Sequence, residues 1–123
     1  MAEHNDFGKE AEDLAVAFLE KKGYQILLRN YRYQKAEIDI IAKENQQIVI
    51  VEVKARSTNV FLEPQEAVNK KKIRLLVMAT HQFLEENDMD FEVRFDIISI
   101  IQEPNQSPKI QHIEDAFESI SGI

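Results

Sequence analysis

Two segments rich in β-branched residues, joined by a short polar turn, constrain the fold of this chain more than any other feature. The first spans residues 36–42, the second spans residues 47–55, and residues 43–46 lie between them. Composition and length of this kind are typical of β-strands, and so short a connection favours an antiparallel hairpin. The chain is therefore predicted to build a β-sheet around this hairpin.

Both strands of the hairpin carry charged side chains, Asp39 in the first and Glu52 and Lys54 in the second. Because side chains alternate between the two faces of a strand, Glu52 and Lys54 share a face with Ile48 and Ile50. Charges beside a core are costly unless they are paired or bound to a metal. Either Asp39 and Glu52 supply oxygen ligands for Mg²⁺ or Mn²⁺, with Lys54 orienting a water and offsetting phosphate charge, or Glu52 and Lys54 form a weak ion pair.

Two amphipathic helices are predicted beside these strands. Residues 11–19 carry apolar side chains at helical spacing, and Gly23 marks the end of that helix. Glu10 lies at its start, where it either reaches a metal through a water molecule or simply stabilises the first helical turn. A second helix is predicted to start near Pro64 and to extend to Leu84.

The second helix carries a cluster of basic residues, at positions 70, 71, 72 and 74. This cluster is either a phosphate-facing patch or a solvated basic face. The whole chain has 15 basic and 22 acidic residues, a net charge of −7 that by itself disfavours nucleic acid. Between Arg29 and Arg74, however, ten basic residues outnumber six acidic ones. We therefore expect modest DNA affinity with steep salt dependence, aided by a partner protein or by a branched DNA structure.

Two further strands complete the predicted sheet, over residues 24–33 and 91–101. The second of them becomes wholly apolar, as in a central buried strand, and the helix before it predicts a crossover that returns it beside residues 47–55. Residues 104–108 break the pattern. Residues 110–120 then place apolar side chains at helical spacing, which predicts a short C-terminal amphipathic helix docked on its own domain.

Length and composition exclude several classes of protein. A chain of 123 residues with 44% hydrophobic content fits one domain, assigned to residues 1–103, with residues 104–123 as a tail. The lack of cysteine excludes disulfides, zinc–thiolate sites and thiol nucleophiles, and three glycines leave no glycine-rich phosphate loop. The sequence shows no apolar run of membrane-spanning length and no signal-peptide pattern, so we expect a cytoplasmic location.

Short motifs between residues 7 and 100 form an ordered set, with the lysine-bearing helix before the last of them. They are Gly8-Lys9-Glu10, Gly23-Tyr24, Arg29-Asn30-Tyr31-Arg32, Glu37-Ile38-Asp39-Ile40-Ile41-Ala42, Val51-Glu52-Val53-Lys54-Ala55-Arg56 and Arg94-Phe95-Asp96. With this set the chain resembles the YraN-like family of predicted endonucleases, within the PD-(D/E)XK nuclease superfamily, which is similar to archaeal Holliday junction resolvases. The family usually has glycine at the position of Ala36, a departure that affects the backbone and leaves the acids intact.

The resemblance implies a three-layer, restriction-endonuclease-like α/β core with the element order α-β-β-β-α-β and a mixed central sheet. It implies catalytic roles for Asp39, Glu52, Lys54 and Glu10, and metal ligation by Asp39, Glu52 and Val53. The predicted nucleic-acid contacts are Lys70, Lys72, Arg56 and Arg32, and Gln65 and Lys72 lie on the helix where related nucleases often keep an auxiliary polar pair. Glu37 shares a face with Asp39, so it is either an auxiliary acid or the partner of a nearby lysine or arginine. Arg94 could meet either acid or a phosphate, and the sequence does not choose.

The function so implied is that of a Mg²⁺- or Mn²⁺-dependent endonuclease that hydrolyses DNA phosphodiester bonds in branched, recombination or repair intermediates. Symmetric cutting of a four-way junction calls for a two-fold homodimer. Two alternatives remain open. One is a nucleic-acid-binding module that has kept the fold and lost turnover, and the other is an adaptor protein that binds a basic partner through its acidic surface.

Overall fold

The computed structural model describes residues 2–56 and 69–116, with side chains described from Gly8 onward. The helices are α1 (Ala2–Lys21) and α2 (Lys70–Glu86), and the strands are β1 (Gln25–Tyr33), β2 (Ala36–Glu44), β3 (Gln47–Arg56), β4 (Glu92–Ile101) and β5 (Lys109–Ile113). The predicted order α-β-β-β-α-β is confirmed, and one further strand follows it.

The five strands form one mixed sheet in the order β1-β2-β3-β4-β5. The β2–β3 hairpin is antiparallel, as its short turn predicts, and so are the β1–β2 and β4–β5 pairs. Strands β3 and β4 are parallel, from Gln47 opposite Glu92 to Arg56 opposite Ile101. Since a parallel pair requires a crossover, the segment containing α2 supplies it, and the prediction that β4 returns beside β3 is confirmed.

Helices cover both faces of the sheet, which gives three layers. Ile48 and Ile50 of β3 belong to the hydrophobic cluster that includes Leu76 of α2. Val49, between them in sequence, belongs to the cluster that includes Leu19 of α1. The alternation predicted for β3 is therefore confirmed, and we call the two sides of the sheet the α2 face and the α1 face.

Helix α2 begins later than the sequence pattern predicts. Asn69 is extended, with φ −86° and ψ 174°, and its side-chain oxygen accepts a hydrogen bond from the backbone N–H of Lys72 at 2.8 Å. This is the geometry of an N-cap, the non-helical residue that immediately precedes the first turn of a helix. The prediction of one helix running from Pro64 is therefore wrong, because α2 cannot extend back through Asn69. Pro64 itself lies outside the described residues.

The predicted C-terminal helix is wrong over residues 109–113, which form strand β5 on the free edge of β4. Ile110 and His112 lie two residues apart and share one face of the strand. Ile110 packs in the cluster of the α1 face, and the His112 ring contacts Phe18 of α1. Over so few residues, apolar spacing fits both a strand and a helix, and the unpaired backbone of β4 decides between them. Residues 117–123 lie outside the described part of the chain.

A buried carboxylate joins β4 to β5 and to the residues after it. Asp96 is fully buried and accepts two hydrogen bonds from Arg94, one from the His112 ring and one from the backbone N–H of Asp115, at 2.7–3.0 Å. Burial opposes ionisation of Asp96, but these hydrogen bonds outweigh it and keep its pKa below the ordinary value. The Arg94 side chain, whose partner the sequence leaves open, also donates to Tyr24. This network therefore has a structural role in the fold.

None of the helices that the structure describes is long and apolar enough to cross a lipid bilayer.

Candidate active site

The candidate site lies where strands β2 and β3 separate. The antiparallel ladder between them runs from Glu44 opposite Gln47 to Ile40 opposite Val51. Beyond Val51, the backbone N–H of Val53 donates its hydrogen bond to the Asp39 carboxylate, at 2.8 Å, instead of to the backbone of β2. Strand β3 meanwhile stays paired with β4. We call this opening between β2 and β3 the fork.

A change of face in β2 brings Asp39 to the fork. Ile38 packs on the α2 face, whereas Ile40 packs on the α1 face, although residues two apart in a strand ordinarily share a face. In the β1–β2 ladder, Arg29 pairs with Ile40 and Tyr31 with Ile38, and Asn30 between them has a positive φ of 54°. Asparagine tolerates this left-handed conformation better than most residues. The irregularity therefore places the Asp39 carboxylate between the two hydrophobic layers.

Glu52 is the buried acid of the fork, with only 4% of its surface exposed. Its Oε2 lies 3.1 Å from the Lys72 ammonium of α2 and 3.5 Å from the Lys54 ammonium of its own strand. Its Oε1 is buried and has no hydrogen-bond partner among the residues that the structure describes. A buried oxygen left in this state costs free energy and calls for an explanation, such as an ion or water that binds there.

The pKa of Asp39 is raised to about 7, first because the group is removed from water and second because of the negative charge of Glu52. The hydrogen bond from Val53 and the positive charge of Lys72 oppose these effects. Burial lowers the pKa of Lys72, but the Glu52 charge and hydrogen bond outweigh it, so this pKa lies above its ordinary value. Two acids and a lysine therefore interact strongly in one poorly solvated place.

The residues of the fork suit Mg²⁺ or Mn²⁺. Glu52 presents an unpaired buried oxygen, Asp39 adds a second carboxylate, and Val53 could contribute only its backbone carbonyl. Within the described residues no group of three or more His, Asp or Glu side chains is arranged to hold a metal. Mg²⁺ does not need such a cage, because it keeps several waters and is commonly held by one or two carboxylates and the phosphates of a substrate.

The side chains of Glu10 and Glu12 lie on different sides of α1. Glu10 is exposed and lines an open cleft with Gln102 and Pro108, at the end of the sheet that carries the β4–β5 connection. Glu12 accepts hydrogen bonds from Arg29 and Asn30 of β1, both at 3.0 Å.

The structure brings Glu12 into the electrostatic surroundings of the fork. The negative charge of Glu12 is among the causes that raise the pKa of Asp39. Glu12 therefore lies near enough to Asp39 to influence its pKa, and the sequence motifs gave it no such role; the signal for it was the second acid at the edge of the apolar stripe of α1.

The other predicted site residues lie around the fork at varying distance. Lys54 and Lys72 meet at Glu52, as described above. Arg32 pairs with Glu37 across the β1–β2 ladder at 3.5 Å, which agrees with the ordinary ion-pair interpretation of Glu37. Lys70 is exposed at the first position of α2, and Arg56 is the last residue of β3. Gln65 lies outside the described residues.

The family of this chain follows from comparison with known proteins. The family model described as "Uncharacterised protein family UPF0102" matches residues 11–100. This chain belongs to the UPF0102 family. The YraN-like family named by the sequence motifs is the same family, so that prediction is confirmed.

Several relatives of this UPF0102 protein cover nearly the whole chain. A UPF0102 protein of Flavobacterium psychrophilum is 56% identical over 117 residues, which are 95% of this chain and 98% of that protein. One from Christiangramia forsetii is 54% identical with the same coverage, and one from Bacteroides thetaiotaomicron is 47% identical over 95% of this chain and 96% of its own length.

Among solved structures, the UPF0102 chain is similar to Hjc of Archaeoglobus fulgidus, a Holliday junction resolvase from an archaeal hyperthermophile. The sequence identity is 15% and the TM-score is 0.45, over 84% of this chain and 74% of that chain. So distant a likeness carries no argument about what this chain does.

The fork of the UPF0102 chain combines groups that can bind a cation and groups that can bind an anion. It holds two carboxylates for a hard cation, a lysine on the same face as the buried acid, and a second lysine from α2. Charge of both signs is thus arranged around one buried, unpaired oxygen. Such an arrangement can hold a cation and stabilise the negative charge that develops on a phosphate.

Proposed function

We propose that this UPF0102 protein is a divalent-metal-dependent endonuclease that hydrolyses DNA phosphodiester bonds, with branched or recombination intermediates as its substrates. The observation that carries the proposal is the unpaired, buried Oε1 of Glu52, beside Asp39 and two ammonium groups. An ion pair alone does not account for a buried carboxylate oxygen that has no hydrogen-bond partner among the described residues, whereas a cation bound there would. The same residues match the PD-(D/E)XK pattern in the sequence.

Asp39, Glu52 and the Val53 carbonyl hold Mg²⁺ or Mn²⁺ in this proposal. When bound, the cation supplies positive charge to the reacting phosphate and makes a water molecule more acidic. The chain's own part is to fix the geometry: the Val53 N–H holds one oxygen of Asp39, and the parallel pairing with β4 holds the backbone of Glu52. Both acids are thereby oriented before a substrate arrives.

Lys54 acts on the substrate side. Its ammonium lies 3.5 Å from Glu52, on the face of the sheet that α2 covers. From there it orients the attacking water and offsets the charge of the phosphate in the transition state. Arg32, Arg56 and Lys70 contact the DNA backbone, and a two-fold dimer supplies the second site that symmetric cutting of a junction requires.

A cleavage assay tests the proposal. A labelled four-way junction, flap, single strand and linear duplex are incubated at low salt with Mg²⁺, Mn²⁺ or EDTA. We compare wild type with Asp39→Asn, Lys54→Ala and the control Lys109→Ala, whose exposed ammonium pairs with Glu103. Cutting that needs metal, is lost in the first two variants and persists in the control supports the proposal.

The other outcomes select the alternatives. Cutting that is indifferent to Asp39→Asn and Lys54→Ala identifies a contaminant. Junction binding without cutting by wild type in any metal points to the nucleic-acid-binding module that has lost turnover. If neither binding nor cutting occurs, the adaptor function becomes the better hypothesis.

A further inference from the structure

Lys72 occupies a position in the fork that the proposed mechanism does not use. It is the third residue of α2, and its ammonium lies 3.1 Å from Glu52 Oε2, closer than that of Lys54. The charge of Lys72 also acts on Asp39, as its electrostatic influence on that acid shows. The Lys72 ammonium thus interacts with both Asp39 and Glu52, as a divalent cation bound to these acids would.

The two lysines differ in what holds them. Lys54 belongs to the same strand as Glu52, two residues away, and 26% of its side chain is exposed. Lys72 reaches the fork from another element, with 41% of its side chain still exposed, so rotation of its long side chain is enough to withdraw it. Its backbone is anchored independently, because its N–H is bound by the Asn69 cap.

Charge balance makes Lys72 and a metal competitors. When Asp39 is ionised, the two carboxylates and the two ammonium groups that the described residues bring to the fork balance each other. Adding a divalent cation between the same carboxylates places it a few ångströms from an ammonium, and like charges at such distances repel each other. The repulsion falls most on Lys72, because its ammonium lies closer to Glu52, also acts on Asp39, and belongs to the more exposed of the two side chains.

We infer that Lys72 is the resident counter-ion of the Asp39–Glu52 pair and that a divalent cation must displace it from Glu52. This inference rests on the proposed function, since it takes the two acids as the metal site. The Lys72–Glu52 ion pair and the bound metal are then mutually exclusive states. Lys72 is a positioning residue that keeps the metal-free fork neutral and is released toward the solvent side of α2 when metal binds.

Binding of Mn²⁺ to the full chain tests the inference without any need for turnover. Free Mn²⁺ is measured by electron paramagnetic resonance for wild type, Lys72→Met, Lys72→Gln and Glu52→Gln, with Lys71→Met as the matched control, since Lys71 is exposed on the same helical turn. We expect about tenfold tighter binding for both Lys72 variants, because in them Mn²⁺ has no Lys72–Glu52 ion pair to displace, and loss of such a partly exposed pair corresponds to roughly that factor. Lys71→Met should bind like wild type, and Glu52→Gln should lose binding.

A second measurement uses unaltered protein. Reductive methylation followed by mass spectrometry reports how freely each lysine reacts. Lys72 should become more reactive when Mg²⁺ is added, while Lys71 stays unchanged. Unchanged Lys72 reactivity in protein that binds Mg²⁺ would overturn the inference even if the Lys72 variants failed to fold.

The outcomes separate this inference from the function beneath it. If wild type binds Mn²⁺ and cuts DNA but the Lys72 variants bind no tighter, the inference fails and the nuclease stands. If the Lys72 variants bind Mn²⁺ and wild type does not, the result supports the inference, because Lys72 then prevents the metal from binding. If no variant and no wild type binds Mn²⁺, the metal site and the inference fall together.

Discussion

Replacing Asp39 with asparagine should stabilise the metal-free protein, although the same change should abolish cleavage. The pKa of Asp39 is raised to about 7 because the ionised carboxylate is poorly solvated and lies near Glu52. Asparagine has nearly the same shape, and its side-chain oxygen can still accept the Val53 N–H. The substitution therefore removes an unfavourable charge and keeps the hydrogen bond.

The size of the effect follows from the pKa. Each pKa unit corresponds to about 1.4 kcal/mol, and unfolded aspartate titrates near ~3.9, so ionised Asp39 costs the fold at most about 4 kcal/mol above pH 7. Because the carboxylate is partly exposed and screened by solvent, we expect about 2 kcal/mol. Because the pKa of Asp39 is raised in the folded state, its ionisation destabilises the fold. This destabilisation is complete above pH 7 and decreases to zero as the pH approaches ~4.

Urea denaturation in EDTA at pH 8 and at pH 5.5 measures this directly. The free energy of unfolding of Asp39→Asn should exceed that of wild type by about 2 kcal/mol at pH 8 and by a smaller amount at pH 5.5. Asp13→Asn is the control, because Asp13 is an exposed acid whose carboxylate pairs with Arg29 on the surface, and it should change stability little. An asparagine variant no more stable than wild type at pH 8, or a gap that widens at pH 5.5, would refute the electrostatic reasoning.

Three further outcomes can be checked by simple stability measurements. Asp96→Asn should lose about 3 kcal/mol of unfolding free energy, since it breaks a largely buried ion pair, whereas Glu103→Gln, which removes a largely exposed pair, should change little in the same urea series. Asn69→Ala should cost about 1 kcal/mol through loss of the α2 cap, and restoration of stability by Asn69→Asp would attribute that loss to capping rather than packing. Mg²⁺ should raise the Tm of wild type but leave that of Glu52→Gln unchanged, and equal shifts in the two proteins would place the cation elsewhere.

The sequence predicts the sheet well because burial of β3 on two faces leaves a clear pattern. Ile48 and Ile50 alternate with Val49 and Val51, and the structure places the two sets under different helices. The short turn before β3 specifies the hairpin in the same local way. Each of these signals lies within a few residues, so no knowledge of the tertiary structure is needed to interpret it.

The choice between Glu10 and Glu12 could not be made in that way. At 100° per residue, both acids flank the apolar stripe of α1 that contains Ala11, at similar angles on opposite sides. Which of them approaches Asp39 depends on which side of the helix faces β1, and that is decided by tertiary packing. The face change of β2 at Asp39 is hidden for a similar reason, since strict alternation predicts that Ile38 and Ile40 share a face.

Strand β5 shows a different limit. Ile110 and Ile113 fit a helical spacing, and nothing within residues 109–113 contradicts a helix. The open edge of β4 and the buried Asp96, which binds both His112 and the Asp115 amide, favour the strand. These partners are distant in sequence, so the competition between strand and helix is settled outside the segment itself.

The hydrogen bond from the Val53 amide to Asp39 makes this amide proton a reporter of the fork in nuclear magnetic resonance. Beyond the last rung of the β2–β3 ladder, this amide proton is protected by a side-chain carboxylate instead of a neighbouring strand. Its rate of exchange with deuterated water therefore depends on the charge and orientation of Asp39, while amides within the ladder depend on opening of the sheet. One resonance of the backbone thus follows the state of the acid pair continuously, in the absence of DNA and of turnover.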